Sequence, residues 1–408
     1  MRILIIGLGG VTQVFRNWPE RTLGQALVAA GHDVHAIAYH QPQQAHLGLS
    51  AREETIDGIH VMRVKPQFFP SNELLAALRF IPGRLDMVHI MHPRNVLAYQ
   101  AVRWLRSHGV PVVWTWLGPF HDRWLVDDRE RPYEVTPHPD RLIYTIGQLA
   151  RRIAATPRDA RELLRNYGIH APMRQADMFL PCSQHEAETM QAMGFDNILP
   201  VVPLWLDMGY MRSEVPPLEH EFTRPIIPYI GQLTTRKCYD MVVDAMPAVV
   251  ARFPQASFVF VTHNPEQRAT LQQMAEQRGV AANLHFLGTI SEEQKLALLR
   301  QSDVLPFPSR YEGFGLPLLE GMAADTPVIS TDIPVVNEII QHGENGLLVP
   351  YDDYAALGQA IIAVIEQPDL RARLVAGGQK TLAERYDPAA LAARTVELYQ
   401  QVIAAQRR

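Results

Sequence analysis

The chain has 408 residues, more than one hydrophobic core usually organises, so two domains are expected. Its 47% hydrophobic and 20% charged residues are ordinary for a globular protein, and a formal net charge of −5 argues against a general nucleic-acid binder. Only two cysteines, Cys182 and Cys238, are present, which excludes a disulfide framework, and no apolar run reaches the length of a membrane span.

The first segment, MRILIIGLGG, is too short for a signal peptide's core and reads instead as a buried parallel strand ending in glycines. A soluble, cytoplasmic protein is the expectation. A helix over residues 19–30 leads through Gly31 to the strand HDVHAIAY. DMVHIMHP (86–93), VLAYQAVRWLRSHG and VPVVWTWLG continue as strand, helix and strand. ADMFLPCS, QHEAETMQAMG and NILPVVPLWLD read the same way. Between them, residues 122–175 are arginine-rich, mostly helical after Pro139, and longer than a normal connection, so they carry function or cover a site. Residues 213–225, SEVPPLEHEFTRP, are proline-rich and acidic and read as a linker between a first domain, 1–212, and a second, 226–387. Beyond it the alternation restarts with PIIPYIGQL, YDMVVDAMPAVVARF, ASFVFVTH and a helix running to about Arg278. NLHFLG, a helix at 291–301, DVLPFPS, a helix opening near Pro317, TPVIST and GLLVPY complete it. Strands alternating with helices imply an α/β fold with parallel sheets, and two such halves suggest a cleft at the ends of both sheets. The last segment, 388–408, is an amphipathic helix expected to pack back on the first domain.

Chemistry concentrates in the second half. In RYEGFGLPLLEGM, Gly313 and Gly315 permit close backbone approach and Pro317 suits a helix's first turn, where free N–H groups attract phosphate. Glu312 and Glu320 flank that turn, and a carboxylate can accept from two vicinal hydroxyls. The pattern suits a phosphate between two polyols, as in a nucleotide diphosphate sugar. Two acids near a helix start also have a purely electrostatic explanation. GQLTTRKC (231–238) weighs against that explanation: Gly231 follows a strand, and Arg236 and Lys237 place cations where a departing diphosphate would need them. Only four lysines occur, Lys65, Lys237, Lys295 and Lys380. FLGTISEEQK (286–295) is a post-strand loop that could meet a nucleobase. GLGGV (7–11) fails as a dinucleotide fingerprint, because residue 12 is Thr and no acidic residue ends the strand near Tyr39. His89 and His92 are three apart, on opposite faces of a strand, and read as structural rather than as a metal pair. Trp104, Trp114, Trp116 and Trp124 read as packing residues, with Trp116 and Trp124 also open as an acceptor lining.

On SRYEGFGLPLLEGMAADTPVIST and VVNEIIQHGENGLLVP, the chain resembles the retaining glycosyltransferases of family 4 (group 1), which have the GT-B fold: two Rossmann-like parallel-sheet domains facing a central cleft. The resemblance implies that Glu312 bonds the donor sugar's hydroxyls and that the amides of Gly313, Phe314 and Gly315 touch sugar or phosphate. It implies that Glu320 binds the ribose hydroxyls, that Lys237 binds the diphosphate, and that Ile290, Glu292 and Lys295 meet the base. Gly9 and Gly10 would lie on the phosphate side of the first domain. The chain departs from the family's pattern at Gln232, where an arginine is usual and Arg236 or another arginine would have to substitute; at Cys238, where glycine is common; and at Leu117, where a histidine is common and His121 follows.

The activity so implied is transfer of a hexose from a donor of GDP-mannose or UDP-glucose type to an acceptor hydroxyl, with retention. No metal and no cofactor beyond the nucleotide sugar is implied. The acceptor is open between a glycan, a lipid and a small molecule, which leaves cell-envelope glycan or glycolipid synthesis open. The segments 122–175 and NELLAALRF (72–80) are the candidate acceptor-facing or membrane-facing parts, which leaves a peripheral place at the inner membrane face open. Two other classes remain: an epimerase or hydrolase on the same fold, which would consume donor alone, and a non-catalytic nucleotide-sugar binder.

Overall fold

The computed structural model describes residues 1–65, 72–92, 96–117, 145–192, 194–262 and 267–406. They fall into two compact units. One holds the described residues up to Trp205 together with those from Pro388 on; the other holds Leu206–Asp387.

The first unit runs β1 (Arg2–Ile6), α1 (Pro19–Ala29), β2 (Asp33–Tyr39), β3 (Glu53–Ile56), β4 (Ile59–Val64), α2 (Asn72–Phe80), β5 (Met87–Met91), α3 (Val96–Ser107) and β6 (Val112–Thr115). It continues with α4 (Ile146–Ala155), α5 (Ala160–His170), β7 (Met178–Phe179) and α6 (Gln184–Ala192). Its described strands form one sheet in the order β3-β4-β2-β1-β5-β6-β7, parallel except for β3 against β4. Ile3, Leu4, Ile5 and Ile6 are fully buried, as a central parallel strand covered on both faces requires. The order grows from β1 to β2 on one side and resumes at β5 on the other, so the direction of winding switches between β1 and β5. The stretch NILPVVPLWLD is not a strand as expected. Apart from one bridge between Phe179 and Ile198 it pairs with nothing regular, because Pro200 and Pro203 remove ladder donors.

The apolar face of α2 is covered by its own unit: Leu74, Ala77 and Leu78 belong to the core with Leu97 and Val102 of α3. Trp114 and Trp116 lie in that same core at 1% exposure, so Trp116 is a packing residue rather than an acceptor lining. Trp124 lies outside the described residues, as does the stretch 118–144 of the long insertion.

The second unit runs α7 (Met208–Arg212), β8 (Ile226–Ile230), α8 (Tyr239–Arg252), β9 (Ser257–Val261), α9 (Arg268–Gln277), β10 (Leu284–Gly288), α10 (Glu292–Gln301) and β11 (Leu305–Phe307). Then come α11 (Leu316–Ala323), β12 (Val328–Thr331), α12 (Pro334–Asn337), β13 (Leu347–Val349), α13 (Tyr354–Glu366) and α14 (Pro368–Arg385). Two parallel three-stranded ladders, β10-β9-β8 and β11-β12-β13, lie side by side. Asp303 joins them: its backbone N–H donates to Ile226 O and its Oδ2 accepts from Ile226 N at 2.8 Å. The switch of winding therefore falls between β8 and β11. Residues 206–212, read from sequence as the end of the first domain, belong to this unit, because α7 packs on α11 and Met211 O accepts from Arg300 Nη2 at 2.7 Å.

The last helix, α15 (Pro388–Gln406), belongs to the first unit and packs on α1. Its Tyr399 hydroxyl meets His89 Nδ1 beneath the sheet, and His89 Nε2 lies 2.7 Å from Thr115 Oγ1. Thr115 donates onward to Leu180 O at 2.9 Å, so it accepts from Nε2–H and Tyr399 donates to Nδ1. Burial drives the His89 pKa down to about 3, with the Glu20 charge opposing, and a neutral ring is what this chain of donors requires.

Candidate functional site

Ligands of open α/β sheets bind where winding switches, outside the strands' C-terminal ends. In the second unit the loops after β8 and β11 meet there, and Arg310 N donates to Arg236 O at 2.8 Å. The first loop closes in a turn over Thr235–Lys237, followed by Cys238 at φ 44°, the left-handed region that favours the glycine expected there. Cys238 is fully buried, and burial pushes its thiol up to about 12, which suits a packing role. The second loop carries Glu312 and ends at Gly315, whose φ of 106° opens α11. Gly315 has no side chain to cap that helix and no acid lies in its first turn, while Pro317 has no N–H and Leu318 N–H donates to Gly315 O at 2.9 Å.

Lys237 Nζ lies 2.5 Å from Glu312 Oε1, and Arg236 Nη1 lies 3.8 Å from the same oxygen. Arg236 also donates to Tyr311 O at 2.9 Å. Ser309 Oγ donates to Glu312, and Ser309 is itself tied to Thr331 through its backbone N–H and carbonyl. The Lys237 ammonium stands 4.6 Å over the Phe307 ring. Burial alone would raise the Glu312 carboxyl, but Lys237 and Arg236 outweigh it and hold the group below the usual carboxylate range. Burial, helped by Arg236, lowers Lys237 against the pull of Glu312. The result is a largely buried, preformed cation–carboxylate pair beside a helix N-terminus with no side-chain cap.

One turn into α11, Glu320 is buried and bonded to Lys295 Nζ at 2.9 Å. Ile290 is half-buried in the turn before α10, Ser291 caps α10, and Gln232 is exposed. The Gln232 carbonyl accepts from Tyr229 Oη at 2.8 Å. Phe314 is buried and meets Tyr386 edge-on at 6.1 Å. Lys237, Arg236, Glu312, Gly313, Phe314 and Gly315 are thus brought to one place, with Glu320, Lys295 and Glu292 on the adjoining helices. His121 lies outside the described residues.

The first unit carries a second polar centre at its own switch, and sequence reasoning missed it. Glu20, fully buried on α1, accepts from His92 Nε2 at 2.9 Å. His92 follows β5 at φ 73°, and its carbonyl accepts from Trp114 Nε1 at 3.1 Å. Burial raises the Glu20 carboxyl, and His92 more than compensates, so the group stays low and ionised. Gly10 packs on it: a Cβ there would lie 2.0 Å from Glu20 Oε2. Gly9 faces Leu49. Two buried arginines pin the loop, Arg21 Nη1 donating to Thr12 O and Arg63 Nη2 to Val11 O, each at 2.7 Å. Such an acid–imidazole pair orients a ring nitrogen. The two partners are far apart in sequence, and no motif announces them. Among the described residues no group of three or more His, Cys, Asp and Glu is placed to hold a metal ion, and no helix is long and apolar enough to cross a membrane.

Comparison with known proteins agrees with this layout. Residues 20–209 match the model of Glycosyltransferase Family 4, and residues 213–381 match that of Glycosyl transferases group 1. The phosphatidyl-myo-inositol mannosyltransferase of Mycobacterium tuberculosis (strain H37Rv) is 36% identical over 220 residues, 52% of this chain and 56% of that protein. That of Mycobacterium leprae is 33% identical over 168 residues, 41% of this chain and 44% of that protein. The chain therefore spans about half the length of the curated relatives it matches. Sucrose-phosphate synthase from Thermosynechococcus elongatus superposes with a TM-score of 0.71 at 19% identity, over 99% of this chain and 100% of that one. Anabaena HepE in complex with UDP gives 0.66 at 15% identity, over 98% and 100%. At these identities the likeness to the two structures is one of fold.

Proposed function

The chain belongs to the group 1, family 4 glycosyltransferases of GT-B fold, and from that premise we propose that it moves a hexose from a nucleotide diphosphate sugar to an acceptor hydroxyl with retention of configuration. The observation that carries the proposal is the Lys237–Glu312 pair, with Arg236 behind it, beside the start of α11, which has no side-chain cap. In this reading the diphosphate lies against the α11 N-terminus and Lys237, Glu312 accepts from the sugar's hydroxyls, and Glu320 accepts from the ribose. The bond from the anomeric carbon to the diphosphate oxygen breaks as a bond to the acceptor oxygen forms on the same face, and the departing diphosphate takes the acceptor's proton. Lys237, Arg236 and the helix N-terminus stabilise the charge that develops, so the reaction needs neither a divalent ion nor a further cofactor.

The mannosyltransferase relatives favour mannose as the sugar and a lipid-carried polyol as the acceptor, which would place the enzyme peripherally at a membrane in glycolipid synthesis. A thermal-shift panel of UDP- and GDP-sugars tests the donor. At a hundredfold excess over its dissociation constant the right one adds about 2.7 kcal/mol of stability. The anomeric coupling of the product, read by NMR, tests retention. A panel in which no nucleotide sugar raises the melting temperature, or wild-type turnover by Lys237→Ala, would overturn the proposal.

A further inference from the structure

Lys295 Nζ lies 2.9 Å from Glu320 Oε1 on α11 and 2.9 Å from Glu292 Oε2 on its own helix. The three side chains are only 16%, 8% and 14% exposed. A lysine that reads a nucleobase presents its ammonium to the ligand. This one is drawn inward between two acids, with two of its three hydrogens accounted for. We propose that Lys295 is a positioning residue: it fixes the Glu320 carboxylate that receives the ribose hydroxyls, and it does not itself contact the base. The proposal rests on the reading of this site as a nucleotide-sugar site.

A vicinal diol needs two acceptor lone pairs at a set spacing, a carboxylate offers about four, and the bond to Lys295 takes one of them while orienting the group. Glu320 has several rotatable bonds, and an anchor on the neighbouring helix restricts that freedom before the ligand arrives. Without the ammonium, the buried Glu320 and half-buried Glu292 carboxylates would face each other. Their like charges would drive one to turn away, and a Glu320 carboxylate so displaced accepts less well from a hydroxyl. Both penalties fall on the ribose contact and neither on the base. Glu292 plays the lesser part, since its loss leaves Lys295 still bonded to Glu320.

The test uses the full chain and calorimetric titration with UDP, 2′-deoxy-UDP, GDP and 2′-deoxy-GDP. A hydrogen bond to a charged group gives the wild type a preference for the ribonucleotide of about tenfold or more. Lys295→Met is expected to lower that preference towards onefold while leaving the affinity for the deoxy form and the UDP-to-GDP ratio unchanged. Glu292→Gln is expected to keep the preference. Should Lys295→Met fail to fold, the same comparison is read in Lys295→Gln. A full ribose preference in the Lys295 variants, or a changed UDP-to-GDP ratio with both sugar forms weakened alike, overturns the inference. Glu320→Gln separates this outcome from failure of the underlying reading. If that variant keeps the ribose preference, or if no nucleotide binds the wild type at millimolar concentration, the donor-site assignment itself falls.

Discussion

Replacing Lys237 by methionine separates two roles that its ammonium performs at once. In the resting protein it is the strongest partner of a buried carboxylate, 2.5 Å from Glu312 Oε1, with Arg236 at 3.8 Å and Ser309 as the remaining support. Removing one member of a buried ion pair typically costs 3–5 kcal/mol, and the two remaining partners reduce this to about 2–3 kcal/mol. For a unit of this size that is a fall of roughly 5–10 °C in melting temperature. In the proposed reaction the same ammonium would meet the departing diphosphate, and its loss is expected to slow transfer by roughly a hundredfold to a thousandfold. The double variant Lys237→Met/Glu312→Gln distinguishes the roles. It buries no orphan charge, so it regains most of the lost melting temperature, but it has no cation and stays slow. Differential scanning fluorimetry reads the first effect, and release of nucleoside diphosphate from the most stabilising nucleotide sugar reads the second. A single variant that melts like wild type refutes the pairing, and one that turns over like wild type refutes the charge argument. A double variant no more stable than the single refutes the coupling.

Two further outcomes follow from the first unit. The folded-state pKa of His89 is depressed to about 3, so below the ordinary histidine value of roughly 6.5 the unfolded chain binds a proton that the folded one does not. Stability therefore falls as pH drops through that window, by about 2 kcal/mol between pH 8 and pH 5, and urea titrations should show this loss in wild type but not in His89→Asn. Gly10→Ala places a methyl group 2.0 Å from Glu20 Oε2, and Glu20 is held by His92, so it cannot simply swing aside. A destabilisation of about 1–3 kcal/mol is expected, largely relieved in a Glu20→Ala background; an equal effect in both backgrounds would show that the clash is not with Glu20.

What was legible in the sequence was local. The apolar run at residues 3–6 and the turn around Gly313 and Gly315 carry their own evidence, and the structure places Lys237 and Glu312 together although 75 residues separate them. The resemblance to a family, rather than spacing, joined those two in advance. Spacing alone put His89 and His92 on opposite faces of one strand. In fact His92 lies just past β5, bent by a left-handed backbone towards a glutamate 72 residues away, and only the folded sheet brings the two together. The β3–β4 hairpin went unread even though Asp57-Gly58, with φ of 50° and 80°, is a strong turn signal between alternating residues. NILPVVPLWLD looked like a strand because composition outweighed its prolines. Residues 206–212 looked like the first domain because the contact that claims them, Arg300 to the Met211 carbonyl, is long-range.

Glu312 and Glu320, the glutamates of the proposed donor site, share one physical solution. Each is buried, and each is answered in the resting protein by a lysine from another loop or helix: Glu312 by Lys237 and Glu320 by Lys295. A carboxylate without a cation at such depth would take up a proton and lose its power to accept from a sugar hydroxyl. Lys237 thus helps keep Glu312 ionised before any ligand arrives. The two pairs differ in what a ligand must then do. In the proposed site a diphosphate would compete with Glu312 for Lys237, so its binding would exchange one ionic partner for another and gain less than the bare contact. A ribose diol adds to the Glu320–Lys295 pair without breaking it. Affinity should therefore be more sensitive to the ribose end and rate to the phosphate end, which is why the Lys295 variants are read by titration and the Lys237 variants by turnover.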